Sequence, residues 1–232
     1  MTPVRYFALI PAAGVGARMG ADRPKQYLPL AGKPMLLHAI DTFAAAPAIA
    51  HTLVVVSPED PYAAGALAGA PYPVERVELL YRGGATRRET VLNGLAALRA
   101  RAADGDWGLV QEAAPPGLAA ALIDRLIAAL ADDPVGGLLA LPVADTLKRA
   151  ADGRAAATVA REGLWAAQTP QMFRYGVLRR ALELADNVTD EAGAIEALGL
   201  RPRLVEGSAR NFKVTLPHDV ELAEIYLKGR HD

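Results

Sequence analysis

The sequence predicts an α/β fold in which one mostly parallel, twisted sheet carries helices on both faces. First, short apolar runs alternate with longer alanine- and leucine-rich stretches, as expected when strands and helices alternate. Second, several of the runs are apolar at every position, which is typical of strands covered on both sides. Third, a length of 232 residues fits one large domain or two small ones. We interpret residues 1–232 as one domain of Rossmann-like architecture.

The elements follow in order along the chain. The predicted strands are Tyr6–Pro11, Thr52–Ser57, Val74–Leu80, Gly108–Gln111, Gly137–Leu141 and Arg203–Glu206. The predicted helices lie near Pro34–Ala45, Glu59–Ala68, Thr86–Arg101, Leu118–Ala131, Tyr175–Ala185, Asp190–Leu198 and Pro217–Leu227. Local signals support two helix starts, because Thr86 with Glu89 fits a capping box and Pro217 suits a first helical position.

Residues 142–165 interrupt this alternation. They have little apolar periodicity and carry Lys148, Arg149, Arg154 and Arg161 around a turn-like Ala-Asp-Gly. We predict a β-hairpin arm that projects from the domain and serves dimerisation and substrate contacts. A long solvated loop is the alternative.

Composition excludes several classes of protein. The 25 Lys and Arg residues balance 26 Asp and Glu residues, so a nucleic-acid partner is not indicated. Without cysteine there is no disulfide or thiolate nucleophile, and the four histidines lack zinc-ligand spacing. No apolar run approaches the roughly 18 residues that span a bilayer, and the N-terminus does not read as a signal peptide. We therefore expect a cytoplasmic protein with no membrane partner.

A loop of small residues follows the first strand and contains Gly14 and Gly16, with Arg18 and Lys25 nearby. Glycine lets backbone N–H groups approach phosphate oxygens closely. Met19 occupies the third glycine position of the dinucleotide fingerprint, and the second strand ends without an acidic residue, which disfavours an NAD-dependent oxidoreductase. The flanking cations favour a triphosphate site, while a simple tight turn with a solvated lysine is the alternative.

Motifs along nearly the whole chain resemble those of the 2-C-methyl-D-erythritol 4-phosphate cytidylyltransferases. The segments that carry the resemblance are Ala12-Ala13-Gly14-x-Gly16-x-Arg18-Met19 with Pro24-Lys25-Gln26, Gly83-Gly84-x-x-Arg87-x-x-Thr90-Val91, Asp145-Thr146-Leu147-Lys148, Gly163-Leu164-Trp165, Gln168-Thr169-Pro170-Gln171, Thr189-Asp190-Glu191-Ala192 and Asn211-Phe212-Lys213-Val214-Thr215. Ribitol-5-phosphate cytidylyltransferases share most of this pattern. The acceptor is therefore less firmly indicated than the reaction.

The resemblance implies that a phosphomonoester oxygen attacks the α-phosphorus of CTP and releases pyrophosphate. It implies catalytic roles for Arg18, Lys25 and Lys213. It implies nucleotide binding by Ala12, Ala13, Gly14, Gly16, Gly83, Arg87 and Thr90, and substrate binding by Thr146, Arg161, Thr169 and Thr189. Three alternatives stay open: Arg87 as an exposed helix charge, Thr189 as a helix cap, and Arg161 as a surface charge.

Two further features are implied by the same resemblance. One is a homodimer with composite active sites, in which Arg161 and Thr169 reach the site of the partner subunit. The other is a Mg²⁺ ion, for which Glu112 stands where the family has aspartate. The family pattern His-Asp-Ala-Ala-Arg-Pro reads Gln111-Glu112-Ala113-Ala114-Pro115-Pro116 in this chain.

This altered loop bears on activity. Glu112 carries one more methylene than aspartate, whereas Mg²⁺ demands near-ideal geometry, and Pro115 supplies neither a charge nor a backbone donor. We predict weaker Mg²⁺ dependence and lower turnover than in a chain that has aspartate and arginine at these two positions. A catalytically weakened homologue that binds nucleotide is the rival hypothesis.

Overall fold

The structure, a computed structural model, describes residues 3–14, 23–73 and 75–229. Its centre is a seven-stranded sheet with the strand order β11-β7-β10-β6-β1-β4-β5. The sheet strands are β1 (Tyr6–Pro11), β4 (Ile49–Val56), β5 (Val77–Tyr81), β6 (Trp107–Val110), β7 (Gly136–Pro142), β10 (Trp165–Arg174) and β11 (Arg203–Glu206). Two short hairpins lie outside it: β2 (Pro29–Leu30) with β3 (Lys33–Pro34), and β8 (Leu147–Ala151) with β9 (Arg154–Val159).

The sheet is mostly parallel, as predicted. Strand β1 pairs in parallel with β4 and β6, β4 with β5, and β7 with β11. Strand β10 is the exception, because it runs antiparallel to both β6 and β7.

Strand β10 is absent from the sequence prediction. Pro170 lies near its middle and cannot donate a ladder hydrogen bond, so the segment does not read as a central strand. The structure accommodates the proline at an irregularity, since the pairing register with β7 shifts between Ala167 and Gln171. The strands β2 and β3 are also absent from the prediction. Each has only two residues, which is too short to show a periodic pattern.

Helices cover both faces of the sheet and bury two apolar layers. The helices are α1 (Met35–Ala45), α2 (Ala63–Leu67), α3 (Arg87–Leu98), α4 (Ala120–Leu130), α5 (Tyr175–Leu184), α6 (Glu191–Ala197) and α7 (Pro217–Lys228). One layer includes Phe43 and Leu126 from α1 and α4, and the other includes Leu95 and Leu178 from α3 and α5. Within the described ranges, no helix is long and apolar enough to span a membrane.

The predicted arm is a hairpin, formed by β8 and β9. Its turn consists of Asp152 and Gly153 with φ of 50° and 73°, the left-handed region that glycine and aspartate tolerate best. Nearly all of its residues are exposed. Its role in dimerisation stays a prediction.

Three loops meet where β1, β5 and β6 end. In a parallel sheet, the carboxyl ends of the strands share one edge, and ligands of such folds bind there. The loop after β1 includes Ala12–Gly14, the loop after β5 leads through Gly83 and Gly84 into α3, and the loop after β6 carries Glu112. The fold thus brings together the glycine-rich motifs and the altered acidic loop.

Candidate active site

Two adjacent cavities lie at this edge of the sheet. The first cavity measures about 240 Å³ and is lined by residues 11–14, Lys25, Gln26, residues 84–87, Thr90, residues 112–114 and Lys213. The second cavity measures about 270 Å³ and is lined by Pro115, Thr169, Gln171, Asp190, Asn211 and others. Arg87, Glu112 and Lys213 line both. We call these three residues the shared wall.

The loop after β1 is held by a buried side chain. The Gln26 Nε2 group donates hydrogen bonds to the carbonyl oxygens of Ala12 at 2.7 Å and Gly14 at 2.9 Å. The Ala12 N–H donates to the Val55 carbonyl at 2.7 Å, which ties the loop to β4. Both backbone polar groups of Ala12 are therefore hydrogen-bonded within the protein. None of these contacts involves the backbone of the next residue, Ala13.

Gly83 is where the loop after β5 approaches the loop after β1. A Cβ atom at position 83 would lie 2.4 Å from the Ala13 Cβ and 2.9 Å from the Val56 carbonyl oxygen, so only glycine fits there. The Gly83 N–H donates to that same carbonyl at 2.7 Å. This close contact brings the two loops together on one side of the first cavity.

Thr90 holds the second glycine of this loop. Its hydroxyl accepts a hydrogen bond from the Gly84 N–H at 3.1 Å and donates to the Thr86 carbonyl at 2.9 Å. The predicted capping box is present, since the Glu89 N–H donates to the Thr86 hydroxyl and the Glu89 carboxylate accepts from the Thr86 N–H. Thr90 lines the cavity but is 3% exposed, so its observed contacts order the loop.

Two predicted catalytic lysines meet at the first cavity. The Lys25 Nζ donates to the carbonyl oxygen of Val214 at 3.2 Å, which places it beside the segment that carries Lys213. Lys213 itself pairs with Glu112, with 2.6 Å between Nζ and Oε2. The predicted residues Gly16 and Arg18 lie outside the described residues.

Arg87 forms a two-pronged ion pair with Glu191, the first residue of α6. Its two terminal nitrogens lie 2.5 Å and 2.9 Å from the two Glu191 oxygens. Glu191 is fully buried and Arg87 is 30% exposed. Burial alone would lower the pKa of Arg87, but the Glu191 charge and hydrogen bonds raise it above its ordinary value. The interpretation of Arg87 as an exposed helix charge is therefore wrong.

Glu112 lies between two cations. Besides the contact with Lys213, its Oε1 atom is 3.9 Å from Arg87 Nε, and its N–H donates to the Thr169 hydroxyl at 3.3 Å. No cluster of three or more acidic or histidine side chains suited to a metal occurs among the described residues. A Mg²⁺ ion commonly takes only one or two carboxylates and fills its other positions with water and substrate phosphate. Glu112 fits that donor role if its carboxylate leaves Lys213.

The second cavity is built from polar side chains on distant segments. Gln171 on β10 donates to the Asp190 carboxylate at 2.8 Å and accepts from the Ala192 N–H at 2.7 Å. Asn211 donates to the Thr169 carbonyl at 2.7 Å. Thr169 therefore lines this chain's own cavity, although the resemblance places it in the partner's site. Pro115, in the altered loop, forms part of the same lining.

The remaining predicted substrate residues lie outside both cavities. Thr146 and Arg161 are exposed at the base of the arm, and Arg161 donates a hydrogen bond to the Ala144 carbonyl. Thr189 is exposed, and it does not cap α6. The cap is Asp190, whose carboxylate accepts from the Gly193 N–H at 2.9 Å.

Sequence reasoning assigned no roles to Gln26, Gln171, Asp190, Glu191 or Asn211. All five lie inside or beside the segments that carry the family resemblance, which was the available signal. Their partners could not be identified from local patterns, since Arg87 and Glu191 are 104 positions apart.

Comparison with known proteins places these features in a family. The family model for IspD, 2-C-methyl-D-erythritol 4-phosphate cytidylyltransferase, matches residues 6–229. A protein of that name from Azoarcus sp. is 56% identical over 227 residues, covering 97% of this chain and 95% of that protein. Another from Dechloromonas aromatica is 53% identical over 234 residues, covering 97% of this chain and 99% of that protein.

Solved structures agree. A crystal structure of a 4-diphosphocytidyl-2C-methyl-D-erythritol synthase superposes with a TM-score of 0.87 at 44% identity, covering 97% of this chain and 99% of that one. The Francisella tularensis 2-C-methyl-D-erythritol 4-phosphate cytidylyltransferase gives 0.82 at 32% identity, covering 96% and 99%. The chain belongs to the 2-C-methyl-D-erythritol 4-phosphate cytidylyltransferase family.

Proposed function

We propose that this chain joins CTP and 2-C-methyl-D-erythritol 4-phosphate, with one substrate in each cavity and the reacting phosphates at the shared wall. The observation that carries this proposal is the pair of cavities that share Arg87, Glu112 and Lys213. Two phosphate-bearing substrates that must react with each other need adjoining pockets and cations where they meet.

The reaction is an in-line displacement at phosphorus. An oxygen of the acceptor phosphate forms a bond to the α-phosphorus of CTP, and the bond from that phosphorus to the bridging oxygen of the β-phosphate breaks. Pyrophosphate leaves with the bonding electron pair, and the product is 4-diphosphocytidyl-2-C-methyl-D-erythritol. Such chemistry asks the protein for positioning and charge neutralisation, and for no protein nucleophile.

The first cavity is proposed to take CTP. Backbone groups around Ala13 and Gly83 would face the cytosine, in the loops that Gln26 and Thr90 order. The residues proposed to bind the nucleotide are those that the sequence predicts: Ala12, Ala13, Gly14, Gly16, Gly83, Arg87 and Thr90. Arg18 and Lys25 would neutralise the triphosphate and the charge that grows on it as the displacement proceeds.

The second cavity is proposed to take the acceptor. Lys213 would bind the acceptor phosphate at the shared wall, and Thr169 would contact the polyol phosphate inside the cavity. Thr189 lies outside the lining but directly precedes Asp190, which is part of it, so Thr189 would contact the polyol phosphate from the rim. Thr146 and Arg161 would serve from a second copy of the chain, because both are exposed and lie outside this chain's cavities. A homodimer joined through the arm would place them at the active site of the partner subunit. Sedimentation velocity should then show a species of twice the chain mass.

Mg²⁺ is proposed to accompany the triphosphate. Glu112 is the carboxylate that would hold it, with water and phosphate oxygens as the other ligands. When bound, the ion supplies further neutralisation of phosphate charge. Because Glu112 pairs with Lys213, we expect the ion to contribute less here than in a site with a free aspartate.

An assay of pyrophosphate release tests this function. CTP is supplied with 2-C-methyl-D-erythritol 4-phosphate or with ribitol 5-phosphate, each with and without Mg²⁺. We expect release with the first acceptor and far less with the second. If CTP binds but neither acceptor reacts, the chain is a nucleotide-binding homologue without turnover, and the proposal fails.

A further inference from the structure

Four charged side chains form a line across the shared wall. Glu191 contacts Arg87, Arg87 lies near Glu112, and Glu112 contacts Lys213. Two carboxylates alternate with two cations, so the line is neutral overall. Glu191 is its most buried member, and it lines neither cavity.

In this line Arg87 lies between two carboxylates, so Glu191 and Glu112 compete for its guanidinium. A guanidinium pairs best with a carboxylate through two parallel hydrogen bonds, and here Glu191 takes both at 2.5 Å and 2.9 Å. Glu112 lies on the Nε side of the guanidinium, with 3.9 Å between its Oε1 atom and Arg87 Nε. That Nε is buried and has no hydrogen-bond partner. Glu112 is therefore the nearest second carboxylate that the guanidinium could engage.

We propose that Glu191 is a positioning residue that holds Arg87 at the shared wall and keeps its guanidinium from closing on Glu112. Without this carboxylate, Arg87 turns to form the two-pronged pair with Glu112. The triphosphate then loses a cation, and this loss outweighs any benefit from the release of Lys213 from its carboxylate partner. This inference rests on the proposed function for its effect on turnover, but the contact between Glu112 and Lys213 can be measured independently.

The kinetic test uses E191Q, which keeps the shape of the side chain and removes its charge. We expect kcat/KM for CTP to fall roughly 10- to 100-fold, the scale on which small misplacements of site groups act. E191D retains the charge and should recover part of the loss. E196Q changes an exposed residue on the same helix, outside both cavities, and should match the unaltered chain.

Coupling to Glu112 separates positioning from general stabilisation. In an E112Q background the carboxylate 3.9 Å from Arg87 Nε is absent, so E191Q should cost much less there than in the unaltered chain. An equal cost in both backgrounds would assign Glu191 a merely structural role and overturn the proposal.

A chemical readout does not depend on turnover. Trace labelling with acetic anhydride, read by mass spectrometry, should modify Lys213 several-fold faster in E191Q than in the unaltered chain, because Glu112 has moved away. Lys228 on α7, which is exposed and lies outside the arm and both cavities, is the internal reference. If E191Q does not fold, E191D should show a smaller rise of the same sign. Unchanged Lys213 labelling overturns the proposal, even if the unaltered chain has no transferase activity and the proposed function fails.

Discussion

The two cavities are built in different ways, although they share a wall. The first is formed largely by backbone and small residues from short contiguous motifs, with Gln26 and Thr90 holding the loops. The second is formed by polar side chains from distant segments, such as Gln171, Asp190 and Asn211. A pocket lined by backbone groups suits the base and phosphates of CTP, because backbone groups are the same whatever the side chains. A pocket lined by side chains can change its ligand when one of those residues is substituted. The difference suggests that changes in acceptor arise in the second cavity.

Removing Lys25 should have the largest effect on the first cavity. We expect K25M to lower kcat about 100- to 1000-fold, as for removal of one group that stabilises developing charge, and to raise KM for CTP far less. Steady-state pyrophosphate release measures both. K228M removes an exposed lysine on α7 and should leave both constants unchanged. A change confined to KM would contradict a role for Lys25 in the transition state.

Crowding the contact between the two loops of the first cavity should cost stability. In G83A the new methyl group would lie 2.4 Å from the Ala13 Cβ, so the loops must separate. We expect the free energy of unfolding to fall by about 1–3 kcal/mol, measured by urea denaturation, together with weaker CTP binding by calorimetry.

G65A is the matched control for that variant. Gly65 lies in α2 with nothing within 4 Å of the position its Cβ would take, so alanine should be neutral or stabilising there. Equal stabilities of G83A and G65A would contradict the claim that position 83 requires glycine.

Changing the altered loop should improve the acceptor side. The double variant E112D/P115R withdraws the carboxylate from Lys213 and adds a cation to the second cavity, so we expect turnover to rise about tenfold, or about 1.4 kcal/mol. Its Mg²⁺ dependence should also become stronger. The assay is pyrophosphate release over a range of Mg²⁺ concentrations, with each single variant alongside. No gain in rate would end the argument that this loop limits activity.

The smallest effect is expected at Asp219, which anchors the chain just after Lys213. Its carboxylate accepts from the N–H groups of Leu216 and Thr215 at 2.8 Å and 2.7 Å, and these bonds lower its pKa. A lowered pKa stabilises the folded chain above the unfolded value of about 3.9, and the stabilisation is lost as pH falls through the folded value. D219N replaces a charged acceptor by a neutral one, so it should cost about 1 kcal/mol at pH 7, and the difference should shrink in acid.

D124N, on the exposed side of α4, provides the comparison for Asp219. Urea denaturation at pH 7 and at pH 3 measures both variants. A cost for D219N that did not depend on pH would mean that the carboxylate charge is not what stabilises this turn.

The two cavities also differ in how far sequence could predict them. The first follows from local rules: glycines after a strand, a capping box before α3, and the alternation that places strand ends at one edge. The second depends on β10, which the sequence does not predict as a strand because it contains Pro170. It also depends on the ion pair between Arg87 and Glu191, which no periodic pattern in the sequence could predict. Charge alone could not tell whether Arg87 faces solvent or a buried carboxylate, because that choice is made by tertiary packing.

The central claim is that CTP and the acceptor occupy different cavities and meet at the shared wall. A crystal structure with a non-hydrolysable CTP analogue and 2-C-methyl-D-erythritol 4-phosphate tests it most directly. We predict the triphosphate beside Lys25 in the first cavity, and the acceptor beside Thr169 in the second, with its phosphate on Lys213. Both ligands in one cavity, or an acceptor phosphate remote from Lys213, would contradict the account.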